Sequence, residues 1–399
     1  MKKIRVQDFT DTTDDFQQFK YLLNFVQKNI LSVTQEDNQI VILHEEEDDT
    51  SIMKEIEHIT SKISGSRKLP FQNETVYKQN VSLPFHDDIL SELIEKKIVV
   101  KTGDGLFTFR PPFSDLILFL DQLIVDHIAK PLGAQNEYYP TLISLNTLNK
   151  TNHFTSFPHH VLFTQHLKED FEVIDNFSSS VKENNGLSKE MIHQHSLEQT
   201  DLVKNPAVCY HCYQALEDSD LESSGKVVTA VGRCSRYESN NHSEFGRLLD
   251  FSMREVIFVG NDEFVQRMRE KSIDLLKEFI KIWQLDSYLE NANDPFFTDD
   301  YKVKSFFQRD MHMKYELRLN VPYTSSSLSA ASSNYHGNVF GKAFSVKTDG
   351  EYASTGCLAF GLERWIFAFL AQYGIEVNRW PASIQNLYQD WANTYRVQA

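Results

Sequence analysis

Apolar residues recur at helical spacing in Phe16 to Val26 and again in Ile52 to Ile63, which predicts two amphipathic helices. Between them Gln39 to His44 reads as a strand, and Glu45 to Asp49 is a solvated acidic run. The second helix ends near Gly65 and Pro70. Ile89 to Val100 reads as a helix and a strand, turning at Gly103-Asp104-Gly105 into the strand Leu106 to Arg110. Phe113 to Lys130 is a long amphipathic helix, followed by Pro131-Leu132-Gly133-Ala134 and Tyr138-Tyr139-Pro140. Ser178 to Glu198 is polar and contains Asn184-Asn185-Gly186, which predicts a loop or surface insertion. Strand-like runs dominate from Pro206 to Gly260, a helix spans Asp262 to Trp283, and strands return before a helix entered at Gly361. No repeat period is visible. The pattern divides the chain into an accessory α+β module, residues 1–85, and a larger α+β unit, residues 86–399.

The 399 residues, 41% hydrophobic and 12% aromatic, are ample for a buried core. No apolar run reaches the length a bilayer needs, and the N-terminus has no apolar signal-like core. Four cysteines do not make a disulfide scaffold, so a cytoplasmic setting is expected. A net charge of −16 disfavours any partner held mainly by its phosphate backbone, tRNA included.

The chemistry concentrates in two segments. Thr355-Gly356-Cys357-Leu358-Ala359-Phe360-Gly361-Leu362-Glu363-Arg364 puts small residues and a permanent cation at a strand-to-helix junction. There the backbone can approach a flat ligand, and the guanidinium can stack on it or meet a phosphate. Upstream, Arg233-Cys234-Ser235-Arg236-Tyr237-Glu238-Ser239 leads through a polar loop with Arg247 to Phe251-Ser252-Met253-Arg254-Glu255. Arg236 suits an α-phosphate, Glu238 an exocyclic amine, and Phe251 the face of a base. The same pattern also describes a charged antiparallel hairpin with exposed ion pairs. Neither GxxxxGK[ST] nor GxGxxG occurs, so no Walker loop or Rossmann turn holds a nucleotide here. In Asn152 to His160 an aromatic and histidine cluster stands out, and adjacent histidines are commonly loop or interface residues. Cys209-x-x-Cys212 lacks the second CxxC of a zinc knuckle and the surroundings of a redox pair.

The order helix-Gly-strand-Pro, then RxE with a returning strand, then GLER resembles the three motifs of class II aminoacyl-tRNA synthetases. Ser156-Phe157-Pro158-His159, Val208 to Tyr213, Asp294-Pro295-Phe296-Phe297, Lys314 to Leu317 and Ser333 to His336 narrow the likeness. Together they resemble the amino acid:[carrier protein] ligases, truncated relatives of methanogen-type zinc-dependent seryl-tRNA synthetases. The likeness covers roughly residues 90 to 385 and leaves the N-terminal module outside. It implies an antiparallel sheet flanked by helices, and a homodimer paired through Phe113 to Pro140. It further implies activation of an amino acid by ATP and transfer to the phosphopantetheine thiol of a small carrier protein. Zinc ligands carried over are Cys209, Glu255 and Cys357, with Cys212 a spare or competing ligand and Cys234 packed beside the phosphate loop. Arg236 and Arg364 become the catalytic cations, Arg236 on the α-phosphate, and Glu238 reads adenine. Phe251 and Arg364 stack on the base, and Arg247 lies near the pyrophosphate. Lys314, Glu316, Asn334 and His336 line the amino-acid pocket, and Mg²⁺ accompanies ATP. Departures are Ser252, where the family usually has arginine, and Ala330-Ala331, where a polar residue is expected. Two other readings are a true tRNA synthetase and a non-catalytic paralogue retained as a binding module.

Overall fold

The computed structural model describes residues 1–10, 13–27, 29–36, 39–45, 49–64, 74–194, 197–239, 241, 245–294, 305 and 308–395. The expected turn at Gly65 and Pro70, most of the Glu45 to Asp49 run, and Pro295-Phe296-Phe297 lie outside these residues.

The N-terminal unit is a three-stranded antiparallel sheet, β1 (Lys2–Gln7), β2 (Ile30–Glu36) and β3 (Gln39–His44), in the order β1-β3-β2. Helices α1 (Thr13–Val26) and α2 (Thr50–Ser64) cover it, and Phe19, Leu23, Ile40, Ile42, Ile52 and Ile63 form its own buried core. Strand β4 (Thr75–Gln79) departs from the sequence boundary at residue 85. It pairs with β14 (Ser287–Asn291) at the edge of the large sheet, and Phe85 packs into the large core. Too short to show a pattern of its own, β4 is fixed by that pairing alone.

Next come α3 (Ile89–Glu95), the hairpin β5 (Val99–Gly103) and β6 (Leu106–Phe109), and α4 (Phe113–Ile124). The predicted 113–130 helix continues only as a π turn over Val125–Ala129 and a 3-10 turn over Lys130–Leu132. Gly133, at φ +71°, stops it, a conformation that costs glycine little. Short strands β7 (Gln135–Asn136) and β8 (Leu142–Ser144) precede α5 (Leu145–Lys150), α6 (His153–Ser156) and β9 (Phe163–Leu167).

Of the loop or surface insertion expected over 178–198, the loop is corrected: the described residues form the end of α7 (Phe171–Glu183), a turn, α8 (Lys189–Gln194) and the start of β10 (Leu197–Lys204). Asp170 caps α7 by accepting from the backbone N–H groups of Glu172 and Val173 at 2.9 and 3.2 Å. No α7 residue is buried, so its sequence is polar enough to look like a loop. Only Asn184-Asn185-Gly186 is a turn, with Asn185 at φ +56°. The strand-rich Pro206 to Gly260 segment likewise contains a helix, α9 (Cys209–Ala215), before β11 (Asp220–Leu221), β12 (Lys226–Ser235) and β13 (Asp250–Gly260).

After α10 (Asp262–Trp283) come β14 (Ser287–Asn291), β15 (Lys314–Val321), β16 (Ser326–Gly337) and α11 (Val339–Ala343). The chain then forms β17 (Lys347–Thr348), β18 (Glu351–Tyr352), β19 (Ser354–Gly361), α12 (Leu362–Tyr373) and α13 (Ala382–Tyr395). The large sheet runs β4-β14-β15-β16-β19-β13-β12-β7 and is antiparallel except for the β12–β7 pair.

Strand residues point alternately to opposite faces, and this period builds both core and site. Val256, Phe258, Leu317, Leu319, Leu358 and Phe360 are buried with Phe279, Trp283 and Trp365 of the helices. On the back of β13, buried Arg254 makes a two-pronged bond to Asp121 of α4, both contacts at 2.7 Å. The intervening residues of the central strands face a cavity.

Candidate functional site

Phe251, Met253 and Glu255 of β13, Cys357, Ala359 and Gly361 of β19, and Ser332, Asn334 and His336 of β16 line this cavity. Lys314 and Glu316 of β15 extend the floor; Arg236, Glu238 and Arg364 close one end, and Cys209 of α9 the other. Its volume is about 560 Å³. Of the site residues named from sequence, Arg247 alone does not line it. Register explains the convergence: Cys357 pairs with Ile257 on one side and Asn334 on the other, while Ala359 pairs with Glu255 and Ser332. A Cβ on Gly356 would meet the Asn334 carbonyl at 2.8 Å, so glycine lets these strands close together. A Cβ on Gly361 would meet nothing nearer than 3.8 Å; glycine there leaves room on the cavity side.

Cations gather at one end. Arg236 donates its Nε to the Pro206 carbonyl at 3.0 Å, and its guanidinium sits 5.5 Å from the Phe251 ring centre. Arg364 donates to the carbonyls of Gly246 at 2.5 Å and Ser329 at 3.1 Å. Arg247 pairs with Glu238 at 2.5 Å. Burial pushes the Glu238 carboxyl up, but Arg247, Arg364 and Arg236 outweigh it and hold the group below its ordinary range. Burial, with Arg247 and Arg236 nearby, lowers Arg364 to about 10. Three guanidinium groups around one carboxylate form a positive pocket in a protein of net charge −16. Beside the departure at Ser252, Arg233, its partner across the β12–β13 ladder, donates to Ser252 Oγ at 2.9 Å and pairs with Glu363 at 3.1 Å and with Asp250, outside the cavity lining. Ala330 is the extra residue where the β15–β16 register shifts, and with Ala331 it presents methyl groups to the cavity.

At the far end the Cys209 thiol is within hydrogen-bonding reach of Cys357 and Glu255. The Cys357 contact, then burial and Glu255, push the Cys209 thiol well up. For Cys357 the bond to Cys209 pulls down, and burial with Glu255 more than offsets it. Burial raises Glu255. Its Oε1 accepts from the Val208 N–H at 3.2 Å, while Oε2 is buried without a well-formed hydrogen bond. Asn334 Nδ2 lies 3.5 Å from Cys357 Sγ. Two thiols and a carboxylate with an unsatisfied oxygen are chemically suited to a zinc ion. No group of three His, Cys, Asp or Glu among the described residues has the spacing of an assembled metal site. Cys212 is buried beside Tyr139 and Glu137, outside the cavity, and burial raises its thiol to about 12. Cys234 packs with Val208, Ala230 and Phe251.

Lys314 holds the middle of the floor. Its ammonium contacts Asp294 at 2.5 Å and Glu316 at 3.1 Å, and Arg318 reaches Glu316 at 3.4 Å. Burial pushes the lysine down, yet the two carboxylates more than compensate and it stays charged. His336 donates to or accepts from Thr355 Oγ1 at 3.2 Å, and burial lowers it to about 4.

Sequence reasoning did not assign Asp294, His153, His160 and Tyr210 to the site, yet all four line the cavity. Asp294 and the histidine cluster were visible as motifs; only the fold shows that they face inward. Burial lowers His153 to about 3 and His159 to about 4, and His160 lower still. Unfolded histidine titrates near pH 6.5, so between about pH 6.5 and 4 the unfolded chain binds more protons than the folded one. Stability is therefore complete above pH 6.5 and falls as pH drops, by about 1.4 kcal/mol per histidine per pH unit. Urea midpoints at pH 7 and pH 5 check this: a steep fall is expected, flattened in His160→Asn, and a pH-independent midpoint contradicts it.

An antiparallel sheet with Arg236 and Arg247 in the connection between β12 and β13, and Arg364 on the helix entered from β19, defines the class: this is the class II aminoacyl-tRNA synthetase fold. The solved seryl-tRNA synthetase of M. kandleri, in complex with A. aeolicus tRNASec, superposes with a TM-score of 0.74 at 19% identity. It covers 98% of this chain and 78% of that one, so the likeness includes the N-terminal unit that sequence motifs left outside. The Pyrococcus horikoshii seryl-tRNA synthetase complexed with ATP gives 0.55 at 12% identity, covering 81% and 75%. In sequence, the chain is similar to the type-2 serine–tRNA ligase of Methanococcus aeolicus, 27% identical over 342 residues, covering 80% of this chain. It is also similar to amino acid–[acyl-carrier-protein] ligase 1 of Bradyrhizobium diazoefficiens, 26% identical over 302 residues, covering 75% of this chain and 90% of that protein. The chain spans 63% of the M. aeolicus ligase and 55% of its Methanothermobacter thermautotrophicus counterpart. No family model matches.

Proposed function

We propose that the cavity binds ATP at its arginine end and an amino acid at its thiol end, and joins them as an aminoacyl-adenylate. The observation that carries this reading is one cavity lined by Arg236, Glu238 and Arg364 at one end, with Arg247 paired to Glu238 behind them, and by Cys209, Glu255 and Cys357 at the other. The amino-acid carboxylate, already ionised, attacks the α-phosphorus; the new P–O bond forms as the α–β bridge breaks and pyrophosphate leaves. Arg236 meets the charge growing on the α-phosphate. Glu238 accepts from the adenine amine, and the base lies between Phe251 and Arg364. Arg247 faces the outgoing pyrophosphate, and Mg²⁺, when bound with ATP, would supply further charge neutralisation. Lys314, Glu316, Asn334 and His336 shape the amino-acid pocket. Cys209, Glu255 and Cys357 are the residues to hold zinc, which when bound supplies a fourth position for a neutral amine. Placement and charge do the work, and no general base is needed for this step.

In the second step the thiol of a phosphopantetheine arm attacks the carbonyl carbon; the C–S bond forms as the C–O bond to the phosphate breaks, AMP leaves with that electron pair, and the thiol proton passes to water. The near-complete span of the acyl-carrier-protein ligase and the net charge of −16 favour a carrier protein as acceptor. The 0.74 superposition on a tRNA-bound seryl-tRNA synthetase favours tRNA as the second reading. A homodimer through Phe113 to Pro140 fits the exposure of Leu118 and Tyr138, 62% and 91%.

Pyrophosphate exchange against all twenty amino acids, on protein of measured zinc content, tests the first step. One small or polar amino acid is expected to support exchange. Thioester formation on a phosphopantetheine-loaded carrier protein, run beside tRNA charging, then separates the acceptors. Absence of exchange with every amino acid rejects the enzyme and leaves a binding module.

A further inference from the structure

We propose that Tyr21, on α1 of the N-terminal unit, is a positioning residue for nucleotide binding: it fixes Arg247 against Glu238 at the rim of the arginine end. The inference rests on reading that end as the ATP site.

Tyr21 is 6% exposed and belongs to the core of its own unit while also reaching the larger one. Its ring lies 5.0 Å from the Arg247 guanidinium, and its hydroxyl contacts Nε2 of His159 at 2.9 Å and of His160 at 3.2 Å. Its backbone carbonyl accepts from Asn241 Nδ2 at 3.2 Å, tying α1 to the segment that leads from Glu238 to Arg247. One helical turn on, Phe25 meets His159 and Tyr237 edge to face, with ring centres 5.1 and 6.1 Å apart. Among the described residues, these contacts join α1 to the histidine cluster and to the Arg236–Arg247 connection.

Arginine has a long side chain whose freedom must be given up when it binds phosphate. Here a carboxylate holds Arg247 edge-on and an aromatic ring holds it face-on, before any nucleotide arrives. The ring suits this purpose because it carries no charge. Burial and Glu238 push the phenol far above neutral pH, so Tyr21 steadies the cation without neutralising it. Glu238 is shared among three arginines, so the positive balance at the rim survives the ion pair. A ring planted by a separate unit therefore gives the accessory module a task in the chemistry of the larger one.

Calorimetric titration with α,β-methylene-ATP tests this on the full chain. Tyr21→Leu, which keeps an apolar group in the core, is expected to weaken binding about tenfold. Tyr21→Phe, which keeps the ring, stays within about twofold. In an Arg247→Met background Tyr21→Leu adds nothing further, because its effect passes through Arg247. In pyrophosphate exchange the same variant raises KM for ATP and leaves kcat and the amino-acid KM unchanged. If Tyr21→Leu unfolds by circular dichroism, Tyr21→Met takes its place. Wild-type affinity in the leucine variant, a full additive loss on top of Arg247→Met, or tighter binding would each overturn the inference. Wild-type protein that fails to bind the analogue defeats the ATP reading and the inference together; wild-type binding with an unaffected leucine variant defeats the inference alone.

Discussion

Arg236→Ala is expected to slow pyrophosphate exchange about 100- to 1000-fold, the range seen when one preorganised donor to a developing charge is removed. Arg236 follows the end of β12 and is steadied by the Pro206 carbonyl and the Phe251 ring, so its head is aimed into the cavity at little further ordering cost. The two other guanidinium groups remain in the variant, so ground-state attraction for ATP persists and the loss falls mainly in kcat. Arg236→Lys keeps the charge but not the planar fork and lies between the two. Exchange within threefold of wild type in the alanine variant would remove Arg236 from the reaction.

The second large effect is at the thiol end. Cys357→Ala is expected to abolish bound zinc, read by metal analysis, and to bring exchange below detection. Cys212→Ala keeps both. The contrast follows from α9: Cys209 faces the cavity beside Cys357 and Glu255, while Cys212, nearly a turn later, is packed against Tyr139. Zinc must displace protons from thiols that are raised in the folded protein, so its affinity falls as pH is lowered. Zinc retained in Cys357→Ala but lost in Cys212→Ala would overturn the ligand set.

Much of the fold was legible because amphipathic periods are local. The helices at Phe16 to Val26, Ile52 to Ile63 and Asp262 to Trp283, and the strand at Gln39 to His44, stand where the pattern puts them. It failed where burial gave no signal. Helix α7 has no buried side, and β4 owes its conformation to β14. The candidate site was legible only through motif likeness. Cys209, Glu255 and Cys357 are distant in sequence, and nothing local says that they share a wall. Tyr21 gave no signal at all, since a buried aromatic on an amphipathic helix reads as part of that helix's own core.

Composition and periodicity by themselves determined an α+β chain of strong negative charge and its main helices, while the side chains able to meet phosphate or metal were marked only by motif likeness. Tertiary structure decided which of these meet. The strand registers of β13, β19 and β16 turn alternate residues to one face, and α1 docks against the arginine end. Pairing and docking are set by contacts between distant segments, which no local pattern encodes.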